Sequence, residues 1–290
     1  MAESKRIHAS GKKRINRSLG GDIVVFLLLL IVALFMALPF VYTIIQAFKP
    51  FEELFAFPPR FYVVNPTLDN FRDLFIVTAN SWVPFSRYVF NSVFVSLIGT
   101  TSHVIVASLC AYPIAKHEFP GRKGIFNVIQ LSLLFNGTVT ALPTYIIMSG
   151  LGWINTYWSL IIPAIGGAFG MFLMKQFMEG IPTPLLEAAR IDGANEWTIF
   201  WKVVMPNVKP AWLTLVIFSF TGLWNSTGGS YIFDEQLKML PTALSQIASA
   251  GIARMGVGMA ASLLLLIPPI ATFILSQSRI IETMSTAGIK

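Results

Sequence analysis

Charged side chains are scarce in this sequence. Asp, Glu, Lys and Arg make up 12% of its 290 residues, about half the share of a water-soluble globule, which argues against an ordinary cytosolic enzyme. Cysteine occurs once, at Cys110, so no internal disulfide can form. Three histidines leave little for a His/Cys metal cluster. The phosphate-cradling pattern G-x-x-x-x-G-K-[ST] is missing, so any work that needs ATP must enter from another molecule. What the chain has in quantity is apolar surface: 54% hydrophobic residues and a mean hydropathy of +0.67.

That apolar content is organised in blocks. Ile23 to Ile45 runs without a charge and, at about 1.5 Å per residue, makes a helix long enough for a hydrocarbon layer of about 30 Å. The run exceeds the 7 to 15 apolar residues of a signal peptide and has no A-x-A-like end, so it reads as an uncleaved anchor. Further charge-free blocks span Tyr88 to Ala115, Ile125 to Met148, Tyr157 to Met174, Ala211 to Asn225 and Val257 to Ser276. Six crossings are predicted. The fifth block is short unless its helix starts before Lys209, and the competing count is five with that block re-entrant.

Charge distribution orients the chain. With the N-terminus in the cytoplasm, 15 of the 21 basic residues lie on inner segments and six on outer ones: Lys49, Arg60, Arg72, Arg87, Lys238 and Arg254. This is the positive-inside pattern, so the net charge of +7 reports topology and contact with anionic lipid rather than nucleic acid. Trp82, Trp153, Tyr157, Trp158 and Trp224 fall at predicted outer boundaries, and Trp212 at an inner one, as an aromatic belt requires. The expected division is a basic cytoplasmic tail over 1–20, a membrane domain over 21–276 and a cytoplasmic tail over 277–290. The outer segment from Phe48 to Arg87, with Pro58, Pro59 and Pro66, is expected to fold as an ordered cap.

The inner loop, about 178–210, is too long and too patterned for a plain connector. Thr183 as N-cap, Pro184 at the first helical position and Gly193 past the end predict a short helix, with Asn195 starting a second and Pro206 closing or bending it. Leu185, Ala188, Ala189 and Asp192 share one face at i, i+3, i+4 and i+7. Two alanines make that face shallow, suited to seating in another protein's groove; an interfacial amphipathic connector is the plainer alternative.

Here the residues resemble a known family. Glu187-Ala188-Ala189, three residues, Gly193, nine residues, Val203, one residue, Met205-Pro206 is similar to the EAA loop, E-A-A-x3-G-x9-I-x-L-P, of inner-membrane permease subunits of ABC importers, with Val for Ile and Met for Leu. Asn91-Ser92, Ala111-Tyr112, Phe119 to Lys123, Leu151 to Trp158 and Trp224-Asn225 extend the similarity to MalG-type carbohydrate permeases. After Asn225 the chain departs, with Ser226-Thr-Gly-Gly-Ser230 where many relatives carry an acidic then an aromatic residue. The resemblance implies an all-α, six-helix type I importer permease in a bacterial-type inner membrane. It also implies a heterodimer with a second permease, two cytoplasmic ATPase subunits that hold ATP and Mg, and an extracytoplasmic solute-binding protein. Glu187, Ala188, Ala189, Asp192, Gly193 and Pro206 would then form the ATPase-coupling site, with Glu187 facing a basic residue there. No cofactor is expected on this chain.

The polar residues inside the spans carry two readings. Asn136, Thr140 and Tyr145 are the candidates for lining a sugar path, the aromatic ring by stacking, yet Ser, Thr and Asn are also common interhelical glue. His103 has no second His or carboxylate at helical spacing and is expected to be a hydrogen-bonded core imidazole, and Cys110 a buried thiol. Apart from Asp22 at an edge, no Asp, Glu, Lys or Arg lies in a predicted span, which speaks against an ion-driven carrier and an intramembrane enzyme. The expected cargo is a carbohydrate; a polar solute such as a glycerophosphodiester is the alternative, with a channel or membrane enzyme more distant.

Overall fold

The computed structural model describes residues 19–58, 60–79, 82–135, 137–249, 251 and 254–287. The six basic residues expected in the N-terminal tail, Pro59 and Asn136 lie outside them. Every regular element among the described residues is helical.

Helix α1 (Leu19–Ala47) covers the first predicted span, and its apolar side chains are almost all exposed. A helix apolar all round with little cover from its own chain has the character of a membrane span. The outer cap follows, with α2 (Phe51–Leu54) and α3 (Asp69–Ala79). Its chain is pinned by polar side chains: Lys49, itself buried, donates to the Arg60 carbonyl at 2.5 Å, and Asn70 donates to the Ala47 and Lys49 carbonyls at 2.9 and 2.7 Å. Glu53 accepts from the Val64 and Asn65 amides at 3.0 and 2.8 Å. The expected ordered cap therefore rests on capped carbonyls as much as on its prolines.

Helix α4 (Phe85–Lys116) runs unbroken for 32 residues through the centre of the bundle. It packs against α7 (Trp158–Ile165), α8 (Ala168–Glu179) and α12 (Lys209–Trp224). The break between α7 and α8 lies at Gly166–Gly167. There the freed Ile165 carbonyl takes a hydrogen bond from His103 Nδ1 at 3.0 Å, and the imidazole occupies space that a Cβ on Gly167 or Gly170 would enter. His103 is 5% exposed, so the expected bonded core imidazole is what the structure shows. Cys110 is half-buried rather than fully enclosed.

The third predicted span differs from expectation. Instead of one straight helix from Ile125 to Met148, the chain forms α5 (Arg122–Ser132) and α6 (Gly137–Gly150), bent by 108°. Gly137 and the threonines at 138 and 140 are weak helix formers placed where the ladder must continue. At about 1.5 Å per residue neither piece alone crosses about 30 Å. Lys175 Nζ, 4.0 Å from the centre of the Phe126 ring, and a Phe126–Phe172 stack hold α5 against α8.

The fifth span is also bent. Short helix α10 (Glu196–Ile199), a π-helical turn (Phe200–Val204) and α11 (Met205–Asn207) lead through a 79° bend into α12, which starts at Lys209 and not before it. Among the described residues, four helical stretches are long and apolar enough to cross unaided, and six if each bent pair is one crossing. The loop after α12 contains a 3-10 turn (Glu235–Leu237) and α13 (Leu240–Ala248). The last span, α14 (Met255–Ala287), continues as helix well past Ser276, through most of the expected tail. Separate apolar clusters form at the Lys116 end of α4 (Tyr112, Met178, Leu186, Phe200) and at its Phe85 end (Leu74, Tyr88, Trp224, Leu244).

Candidate coupling site

The inner loop is built in three steps. First, α8 ends at Glu179, and Lys116, the last residue of α4, donates to the Glu179 carbonyl at 3.2 Å, an orphan acceptor of that helix end, and to the Ile181 carbonyl just beyond it at 2.5 Å. Second, α9 (Thr183–Ile191) starts one residue earlier than predicted: Pro182, in extended conformation, is the N-cap, and Thr183 is already helical with no side-chain cap bond. Prolines at 182 and 184 leave fewer amides in need of a cap, which removes the pressure for a hydroxyl there.

Third, the corner after α9 is a Schellman motif. Gly193 sits at φ +81°, its amide donates to the Arg190 carbonyl at 3.0 Å, and the Ala194 amide donates to the Ala189 carbonyl at 3.0 Å. Only glycine takes this left-handed position without strain, which is the local reason for glycine at 193. Asn195 then caps α10 as predicted, its Oδ1 accepting from the Thr198 amide at 2.8 Å.

The two sides of α9 divide cleanly. Leu186 is 1% exposed and packs with Phe200 and Met178 in the inner core. Ala189 is half-buried against the same cluster. Glu187, Ala188, Asp192 and Gly193 face solvent, as do Leu185 and, at 86% exposure, Ile191. The face expected from helical spacing is therefore split: Leu185, Ala188 and Asp192 point outward, while Ala189 turns half toward its own domain. Ile191 joins the outward surface, a large apolar side chain in water that the spacing of the alanines did not single out. Pro206 is exposed at the far end, just after the π turn, where the Met205 amide reaches back to the Phe200 carbonyl. Lacking an N–H, Pro206 cannot continue an α-helical ladder.

Glu196 organises the corner. Its Oε1 accepts from Arg190 Nε at 2.9 Å, and its Oε2 accepts from Tyr112 Oη at 2.7 Å and lies 3.4 Å from His117 Nε2. The Tyr112 hydroxyl, ahead of the Arg190 guanidinium, holds the carboxyl below its ordinary value. Neither Glu196 nor the role of Tyr112 was evident from the sequence.

Of the candidate path residues, Asn136 lies outside the described residues, and Thr140 and Tyr145 both lie on α6. Thr140 is exposed and its hydroxyl donates back to the Gly137 carbonyl at 3.2 Å. Tyr145 is half-buried and stacks on Tyr231, ring centres 6.2 Å apart. Asn91, in contrast, acts as glue: it donates to the Gln236 and Lys238 carbonyls and accepts from the Tyr157 hydroxyl.

Residues 103–284 match the family described as the binding-protein-dependent transport system inner membrane component. The chain belongs to that family. Its fold is that of an importer permease: a bacterial ABC transporter involved in import of the acidic polysaccharide alginate superposes with a TM-score of 0.78, covering 91% of this chain and 98% of that one at 23% identity. Protein LplC of Bacillus subtilis is 34% identical over 72% of this chain and 70% of its own length. The polygalacturonan/rhamnogalacturonan transport system permease protein YtcP of the same organism is 32% identical over 78% of this chain and 77% of its own. As a binding-protein-dependent transport component, the chain is a membrane permease subunit and not an enzyme.

Proposed function

We propose that this permease forms half of a heterodimeric carbohydrate path and is driven by cytoplasmic ATPase subunits through α9. The observation that carries the reading is the corner at Gly193. A short helix is fixed to its own domain by Leu186, Ala189 and Glu196 while Glu187, Ala188, Ile191 and Asp192 stand outward. A rigid, outward-facing helix with small residues at its centre is what a groove in another protein can hold. Closure of a nucleotide-bound ATPase pair would then rock the spans between two states. In this reading ATP and Mg are held by the ATPases, Glu187 meets a basic side chain there, both termini lie in the cytoplasm, and an external solute-binding protein delivers the cargo. Carbohydrate as cargo is supported by the similarity to YtcP and to the alginate importer. The test is ATP turnover by the complex reconstituted with its binding protein, offered pectic and other plant oligosaccharides in one arm and a glycerophosphodiester in the other. Stimulation by an oligosaccharide supports the reading; stimulation by the glycerophosphodiester alone overturns the carbohydrate assignment.

A further inference from the structure

Helix α4 bonds to both sides of α9 and, at its opposite end, to the outer loop. On the inner side, Lys116 holds the chain entering α9 through the Glu179 and Ile181 carbonyls, and Tyr112 holds the chain leaving it through Glu196. On the outer side, Arg87 donates to the Gln236 carbonyl at 3.2 Å and Tyr88 to Glu235 Oε1 at 2.9 Å. Asn91 donates to the Gln236 and Lys238 carbonyls at 2.9 Å each, and Ser92 Oγ accepts from the Leu240 amide at 2.7 Å.

The other routes from α9 toward the outer face are interrupted. The α8–α7 span keeps one course but loses its helical ladder at Gly166–Gly167, and α12 is reached only through a π turn and a 79° bend. A displacement of α9 delivered to those elements can be absorbed at their joints. Delivered to α4, it meets 32 residues assigned as one helix, whose single interior proline, Pro113, lies next to Tyr112 at the inner end. The inner joint is also stiff: Tyr112 has its ring buried against Phe200 at 5.5 Å and His117 at 5.3 Å, so its hydroxyl cannot follow Glu196 without moving α4.

We infer that Tyr112 and Glu196 are positioning residues that lock α9 to α4, and that α4 relays the movement of α9 to the outer loop at 235–240. The inference deepens the coupling reading above and rests on it. In this role both act through α9.

The experiment uses the full complex with two reporters. A photo-crosslinking side chain at Ala188 reports contact of α9 with the ATPase. In the same chain Ser230→Cys, exposed on the outer loop, is labelled by a membrane-impermeant maleimide with and without ATP, in a Cys110→Ala background. The parent is expected to crosslink and to change its labelling rate on ATP. Tyr112→Phe removes one hydroxyl and keeps the ring; it should retain the crosslink while the ATP-dependent change at position 230 shrinks about tenfold, the weight of one charge-assisted hydrogen bond. Glu196→Gln, which keeps an acceptor and loses the charge, should fall between the two. An outer response within about twofold of the parent in both variants overturns the inference, since a bond of this class is worth more than that. So does failure of both variants to assemble, which would give the cluster a folding role only, and so does a parent that crosslinks yet shows no outer response. No crosslink in the parent is a different failure, that of the coupling reading itself.

Discussion

Replacing Gly193 separates backbone cost from charge at the α9 corner. A Cβ built on Gly193 has nothing within 4 Å, so no neighbour resists it. The cost of Gly193→Ala comes from φ +81° alone, about 1–2 kcal/mol for an L-residue with no local compensation. Asn and Asp tolerate the left-handed region better, because their short side chains bond locally. Opening of the Schellman bond from the Ala194 amide to the Ala189 carbonyl should become about 5- to 30-fold more frequent in Gly193→Ala and change less in Gly193→Asn. Hydrogen exchange of the Ala194 amide in the assembled complex reads this directly. Gly193→Asp is nearly isosteric with the Asn variant and should leave membrane insertion and the corner intact, yet place a charge in the docking surface. Cargo-stimulated ATP turnover should therefore survive in Asn and fail in Asp. Protection in the Ala variant equal to that of the parent would refute the strain argument, and full stimulation in Gly193→Asp would refute the docking argument.

Three further perturbations follow from other contacts. Gly170→Ala would bring a Cβ to 2.3 Å from His103 Nε2 and 3.0 Å from Leu215 Cδ1, so overpacking of about 1–3 kcal/mol should lower the thermal midpoint of the complex, with part recovered by adding His103→Ala; an unchanged midpoint would contradict the seat. Glu196 is held below the ordinary 4.5, so its contribution is complete above that value and is lost as pH falls through the depressed one. Loop protection should accordingly drop as pH falls below about 4.5, a loss absent from Glu196→Gln; a gain on acidification through that range would reverse the sign and sink the assignment. Glu187→Lys alters an exposed side chain and should leave the fold intact while reducing recovery of the ATPase at moderate salt. Unchanged recovery would count against a charged contact there.

The spans and the coupling loop were legible because each rests on local chemistry. Charge-free runs mark α1, α4 and α14, and the Pro184, Gly193 and Asn195 punctuation marks α9 and its corner, with the N-cap misplaced by one residue at Thr183. The break at α5–α6 was hidden because Gly137 and its threonines sit inside an apolar run whose hydropathy gives no sign of a bend. Which side of α9 faces inward was not readable either: Leu185 and Leu186 are adjacent and equally apolar, and only the position of Phe200 and Met178 decides that Leu186 is buried. Glu196 looked like one more surface carboxylate because its partner Tyr112 lies 84 residues away. The bonds from Asn91 to the 236–238 carbonyls, similarly, join residues with no local signature.

The most direct measurement is a structure of the complete complex trapped with a non-hydrolysable ATP analogue. The account predicts Glu187, Ala188, Ile191 and Asp192 enclosed by an ATPase subunit, with Leu186 still turned into the permease. Those four side chains standing in open solvent, in a complex that hydrolyses ATP and imports cargo, would contradict it.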